Sequence, residues 1–113
     1  MEFQVHDIAP DLAQVVLTGR LDAVGAEALD VPFTASICQI GKNVILDLSA
    51  VPFVGSLGIR VLISGARVLQ RRGFRIAIYG VSPAVAEVFD IVALDELIPL
   101  APDMAAARSL LAG

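Results

Sequence analysis

The chain has one cysteine, one histidine, one tyrosine and no tryptophan. A lone Cys38 rules out an internal disulfide and every metal motif built on paired thiols. With no partner near it in sequence, Cys38 is read as a small buried apolar side chain rather than a nucleophile. His6 stands near the free end of the chain and is read as a strand residue rather than a base. Charge is also scarce, at 18% of residues with a net of −4 and no basic run beyond Arg71-Arg72. A footprint for a phosphate backbone is therefore missing, and nucleic acid is not an expected partner. Gly19, Gly25, Gly55 and Gly58 match neither the dinucleotide nor the Walker spacing, so no phosphate cradle is expected. Asp95-Glu96 reads as a solvated turn. Catalytic apparatus is missing, so the expectation is a non-enzyme that holds no cofactor.

Long apolar runs are lacking as well, although 57% of residues are apolar and the mean hydropathy is +0.79. The longest uncharged run, Leu48–Ile59, is broken by Pro52, Gly55 and Gly58. A membrane-crossing helix needs about 20 mostly apolar residues, so no span is expected. Met1-Glu2-Phe3-Gln4 lacks the basic and apolar regions of a signal peptide, and a cytoplasmic location is the expectation. The apolar excess points to elements buried on several sides, with a face left for a partner. A homodimer is one way to cover such a face.

What is there reads as one domain over residues 1–113. Phe3–Ile8 alternates apolar and polar residues and predicts a half-buried strand. Pro10-Asp11 turns the chain into a second strand, Leu12–Thr18, which completes an antiparallel hairpin. Asp22 is placed to cap a short helix; Pro32 is expected to end it and to start another. Val44–Leu48 predicts a central strand buried on both faces. From about Ser56 to Arg72, Arg60, Ser64, Arg67 and Arg71 form one polar stripe on an otherwise apolar helix. Gly73 stops that helix. Phe74–Tyr79 predicts a strand, Ser82-Pro83 opens a helix to about Asp90, Leu97–Leu100 predicts a short strand, and Pro102-Asp103 opens a last helix. After the hairpin, strands alternate with helices. That order predicts an α/β fold with a mixed, mostly parallel sheet of about five strands and about four helices.

Functional residues in such sheets gather in loops beyond strand C-termini. Ser49–Ser56 is such a loop, and its Val51, Phe53 and Val54 are expected in part to pack on the sheet edge. Ser56 falls at the cap or in the first turn of the striped helix. A cap there contributes about 1 kcal/mol. The same position suits a modified hydroxyl, since a phosphate would meet free N–H groups, the positive dipole end and Arg60 one turn along.

Val44-Ile45-Leu46-Asp47-Leu48-Ser49-Ala50-Val51-Pro52-Phe53-Val54-Gly55-Ser56-Leu57-Gly58-Ile59 resembles the hallmark of STAS domains, the fold of bacterial anti-sigma factor antagonists and sulfate transporter tails. Leu17-Thr18-Gly19-Arg20-Leu21-Asp22 is similar to the second-strand segment of that family. The resemblance covers nearly the whole chain. It implies a STAS fold, Ser56 as the phosphoacceptor, and Asp22 as an acidic residue at the kinase-binding surface. Gly55 departs from the aspartate of sporulation-type antagonists. The function implied is partner switching: binding an anti-sigma factor with serine kinase activity when unphosphorylated, and release on phosphorylation. The contact surface implied comprises Asp22, Gly55, Ser56, Leu57, Gly58 and Arg60. ATP would belong to the kinase. The alternative implied is a non-phosphorylated scaffold subunit of a lipid-transport ATPase or of a stress-signalling complex.

Overall fold

The computed structural model of the protein describes residues 1–112. Strands β1 (Glu2–Ala9) and β2 (Leu12–Thr18) form the antiparallel hairpin. Helix α1 (Ala23–Ile40) leads to β3 (Asn43–Ala50), and α2 (Ser56–Arg71) leads to β4 (Ile76–Tyr79). Helix α3 (Pro83–Ile91) and a 3-10 turn at Leu94–Glu96 precede β5 (Leu100–Ala101), and α4 (Met104–Ala112) closes the chain. The five strands lie in the order β1-β2-β3-β4-β5, and every pair after the hairpin is parallel.

Each parallel step moves the same way along the sheet. Right-handed crossovers therefore lay α1, α2 and α3 on one face. On that face Val44, Leu46, Leu48, Ile76 and Ile78 meet Leu29, Phe33, Leu62, Leu69 and Phe89 in the main core. The alternate residues Ile45 and Ala77 point the other way, under Ala107 and Leu111 of α4. Central strands covered on both faces need apolar residues at consecutive positions, which explains the run Val44-Ile45-Leu46. Among the described residues no helix is long and apolar enough to cross a membrane.

Local signals set most helix ends. The Asp22 carboxylate accepts from the Gly25 amide at 2.8 Å, and the Ser82 hydroxyl accepts from the Val85 amide at 3.3 Å. Helix α2 ends in a Schellman motif: Gly73 has φ +87°, and the amides of Phe74 and Gly73 donate to the carbonyls of Leu69 and Gln70.

Three expectations are corrected. Pro32 neither ends nor starts a helix; it lies inside α1. It leaves the Ala28 carbonyl without its usual donor, but Pro32 is exposed and water can serve there. Ala26, Leu29, Phe33 and Ile37 form one buried face running past the proline. Burial of side chains like these, at about 1.5–3 kcal/mol each, outweighs a proline cost of about 3 kcal/mol. The strand expected at Leu97–Leu100 is displaced to Leu100–Ala101, because the 3-10 segment Leu94–Glu96 and the bend after it turn Leu94 and Ile98 inward. Cys38 is exposed rather than buried, since it lies on the outer side of α1.

Since the proline is tolerated rather than required, Pro32→Ala is expected to stabilise the protein by about 1–2 kcal/mol. The urea midpoint should rise with an unchanged denaturant slope. A midpoint at or below that of the parent protein would refute this account of α1.

Candidate functional site

The segment between β3 and α2 is stitched to the end of β2. Gly19 donates to the Ala50 carbonyl at 3.0 Å, Leu21 to Phe53 at 2.9 Å, and Gly55 to Leu21 at 2.9 Å. Leu21 and Val54 form an isolated parallel bridge. Val51 and Val54 are buried below this seam, while Phe53 stays exposed. The Arg20 guanidinium lies over the Phe53 ring, 4.6 Å from its centre, and Arg20 Nε stands 3.8 Å from Asp22 Oδ2. The seam thus places the Asp22 corner beside the start of α2.

Gly55 occupies the N-cap of α2 in extended conformation, and no side chain caps this end. Ser56 is the first helical residue and is exposed. Its hydroxyl is therefore not the capping group. The amides of Ser56, Leu57 and Gly58 precede the first intrahelical bond, which runs from Ile59 to the Gly55 carbonyl at 3.0 Å. Leu57 and Arg60 are exposed, whereas Gly58 is buried. A Cβ at Gly58 would lie 2.5 Å from Leu21 Cγ and 2.8 Å from the Leu21 carbonyl oxygen. Gly58 is thus a packing residue beneath the surface rather than a contact on it.

A shallow groove lined by Ser56, Ile59, Arg60, Ile63, Ser64, Arg67 and Arg71 continues along α2. The structure brings Asp22, Gly55, Ser56, Leu57 and Arg60 to one end of the molecule and adds Arg20 and Phe53. Neither addition was legible from the sequence, because the Arg20–Phe53 stack depends on a pairing between segments some 30 residues apart. His6 lies on the exposed edge strand, and Asp95 and Glu96 are exposed, each away from this surface.

Next to the seam, the Asp47 carboxylate accepts from the Ser49 amide at 2.8 Å, the Ser49 hydroxyl at 2.5 Å and the Tyr79 hydroxyl at 2.9 Å. Gln14 Nε2 donates to the same tyrosine oxygen at 2.8 Å. This network ties β2, β3 and β4 together where the loop toward Ser56 leaves the sheet. Burial raises the Tyr79 pKa above its ordinary 10.0, and the hydrogen bond and negative charge of Asp47 push it further the same way. Tyr79 is the one tyrosine of the chain, so its phenolate absorbance can be followed without overlap. That titration is expected to have its midpoint above 10.0, and Asp47→Asn should move it back toward that value. A folded pKa above the unfolded one means that this contribution to stability is present below pH 10.0 and is lost as pH rises through the folded value. An Asp47→Asn titration identical to that of the parent would remove the carboxylate from this account.

An α/β sheet with a hairpin at one edge, together with a seamed loop feeding the N-terminus of a striped helix, defines the class. A family model described as STAS domain matches residues 5–107, and the chain belongs to that family. Within it the chain is an anti-sigma factor antagonist-like domain. It is 29% identical over 93 residues to BtrV of Bordetella bronchiseptica, a candidate anti-sigma factor antagonist, covering 82% of this chain and 80% of that one. An anti-sigma factor antagonist from Mycobacterium paratuberculosis superposes with a TM-score of 0.82 at 27% identity, over 99% of this chain and 94% of that one. The antagonist SpoIIAA of Bacillus shares the fold in both of its solved states. Its unphosphorylated form gives a TM-score of 0.76 at 22% identity, over 96% of each chain. Its phosphorylated form gives 0.69 at 21% identity, over 96% of this chain and 99% of that one.

Proposed function

We propose that the protein is a partner-switching regulator. With Ser56 unmodified, it binds an anti-sigma factor that has serine kinase activity, and a sigma factor is released. The kinase then transfers the γ-phosphoryl group of ATP to Ser56 Oγ, ADP and the hydroxyl proton leave, and binding ends. The process is cytoplasmic, and the chain itself carries out no catalysis and holds no cofactor.

One observation carries this reading: Ser56 is exposed at the first helical position, while Gly55 takes the cap. A serine committed to capping would hold its oxygen against its own helix. This one is open to a kinase. A phosphate on Ser56 would lie by three amides outside the intrahelical ladder, at the positive end of the α2 dipole, with Arg60 one turn away. The modification can then be accommodated without unfolding, a view supported by SpoIIAA keeping this fold in both forms. Phe53 and Leu57 supply an apolar contact that an added charge of about −1.5 to −2 would spoil. Asp22 and Arg20 complete the surface.

Gly55, where sporulation-type antagonists carry aspartate, favours one second reading, an unmodified scaffold within a larger assembly. Incubation with candidate anti-sigma kinases and ATP, followed by mass spectrometry, separates the two. Phosphate located on Ser56 supports the switch. A protein that binds such a kinase at full affinity yet never acquires phosphate supports the scaffold.

A further inference from the structure

Helix α1 is apolar on two sides. Its inner face carries Ala26, Leu29, Phe33 and Ile37 into the core. Its outer face presents Val24, Ala28, Val31, Ala35 and Cys38, all exposed, with the two valines 77% and 76% accessible. The spacing of this second row is 4, 3, 4, 3, the repeat that lets one helix lie along another. No charged residue interrupts the row. Valines this exposed bury little in the isolated chain, and the row lies on α1, separated from Ser56 by the groove along α2 that Ser64 borders on both sides.

We propose that this row is a homodimer interface, in which the α1 helices of two copies pack antiparallel about a two-fold axis at Val31. Two features of the row select a second copy of the chain as its occupant. First, the row is self-complementary. A two-fold at Val31 sets Val31 on Val31, Ala28 opposite Ala35, and Val24 opposite Cys38. Valine then meets valine at the axis and cysteine at each end, and the two alanines allow close approach; an interface between identical copies requires such a match. Second, the charges agree with the antiparallel sense. Glu27 and Asp30 flank the N-terminal half of the row. At its C-terminal end stands Arg72, whose guanidinium donates to the Cys38 carbonyl. Antiparallel packing directs Glu27 of one copy toward Arg72 of the other, with Asp30 close to the axis, whereas parallel packing sets Glu27 on Glu27 and Arg72 on Arg72.

From Val24 to Cys38 the row is about 21 Å long. One helix pair of that length lies at the small end of specific interfaces, below roughly 1,200 Å² of buried surface. The dimer is therefore a weak one, populated when the protein is concentrated. Sedimentation velocity on the full chain over a wide concentration range is expected to show monomer when dilute and dimer when concentrated. Val31→Glu puts two like charges on the axis and should leave only monomer. Val92→Glu, beyond α3, should dimerise as the parent does.

Orientation is read by thiol oxidation with diamide, which takes up the two electrons and two protons released as an S–S bond forms. Val24→Cys should cross-link efficiently to Cys38 of the second copy. The parent should not, since its two Cys38 residues would lie about 21 Å apart, far beyond disulfide reach. Monomer at every concentration, a Val31→Glu protein that still dimerises, or a parent that cross-links as readily as Val24→Cys would each overturn the proposal. None of these measurements involves Ser56, so the switch and the dimer stand or fall separately.

Discussion

Aspartate in place of Ser56 is expected to weaken binding of an anti-sigma factor by more than about 100-fold, or about 3 kcal/mol. The reasoning is local. Ser56 is exposed beside Leu57 and Phe53, and a charge held there without a partner across the contact must lose its water. Removing the hydroxyl has no such cost, so Ser56→Ala should bind within a few-fold of the parent and should no longer respond to kinase and ATP. Ser64→Asp serves as a control, two turns further along the same polar stripe. Its charge stays in solvent, and at physiological salt its effect decays over about 8 Å. Isothermal titration calorimetry on the three variants reads the order directly. Equal affinities for Ser56→Asp and Ser64→Asp would mean that position 56 has no special place in the contact.

The other large effect is expected from a single methyl group. Gly58→Ala should destabilise the protein by about 2–3 kcal/mol, even though alanine favours a helix over glycine by about 1 kcal/mol. The added carbon would lie 2.5 Å from Leu21 Cγ and 2.8 Å from the Leu21 carbonyl oxygen. The leucine side chain can move, but its carbonyl cannot do so freely, because it accepts from Gly55 at 2.9 Å. Relief of the clash must open the seam between β2 and the loop, so the steric term wins over propensity. Urea denaturation should show a lower midpoint, and amide exchange at Leu21 and Gly55 should quicken more than at Val44 or Ile78. A variant as stable as the parent would show that the seam yields without cost. Gly65→Ala, where the new carbon would lie 2.7 Å from the Phe33 ring edge and meet no hydrogen-bonded backbone, should be milder.

These effects hinge on long-range contacts, and there the sequence was least legible. Signals carried by adjacent residues could be read directly: Asp22 and Ser82 as caps, Gly73 as a stop, Val44-Ile45-Leu46 as a strand buried on both sides. The order of elements then led to the sheet, since alternation after a hairpin leaves few topologies open. Pro32 was misread because its local cost is visible in the chain, while the burial of Leu29, Phe33 and Ile37 around it is not. Leu97–Leu100 reads as a strand because a short apolar run does not distinguish a strand from a bend that turns one residue, Ile98, inward.

Ser56 itself was legible, first as a helix-start serine and then through the family resemblance. That Gly55 rather than Ser56 caps the helix was not, since either residue is a preferred cap. Two apolar periodicities overlap in α1, so its sequence looks uniformly hydrophobic; the inner and outer rows separate only once the sheet is in place. The cysteine was misassigned for the same reason, as Cys38 belongs to the outer row.

The order in which the strands lie beside one another has a consequence for how the chain acquires its shape. Each strand pairs with the one made just before it, so no segment waits for a distant, later one to complete its pairing. On the ribosome, the hairpin can form as soon as it clears the exit, and each following helix-and-strand unit can then dock onto an edge already waiting. Non-local searches, which slow folding and lengthen the exposure of sticky edges, are kept short. An apolar chain of this kind is thus able to consolidate while it is still being made.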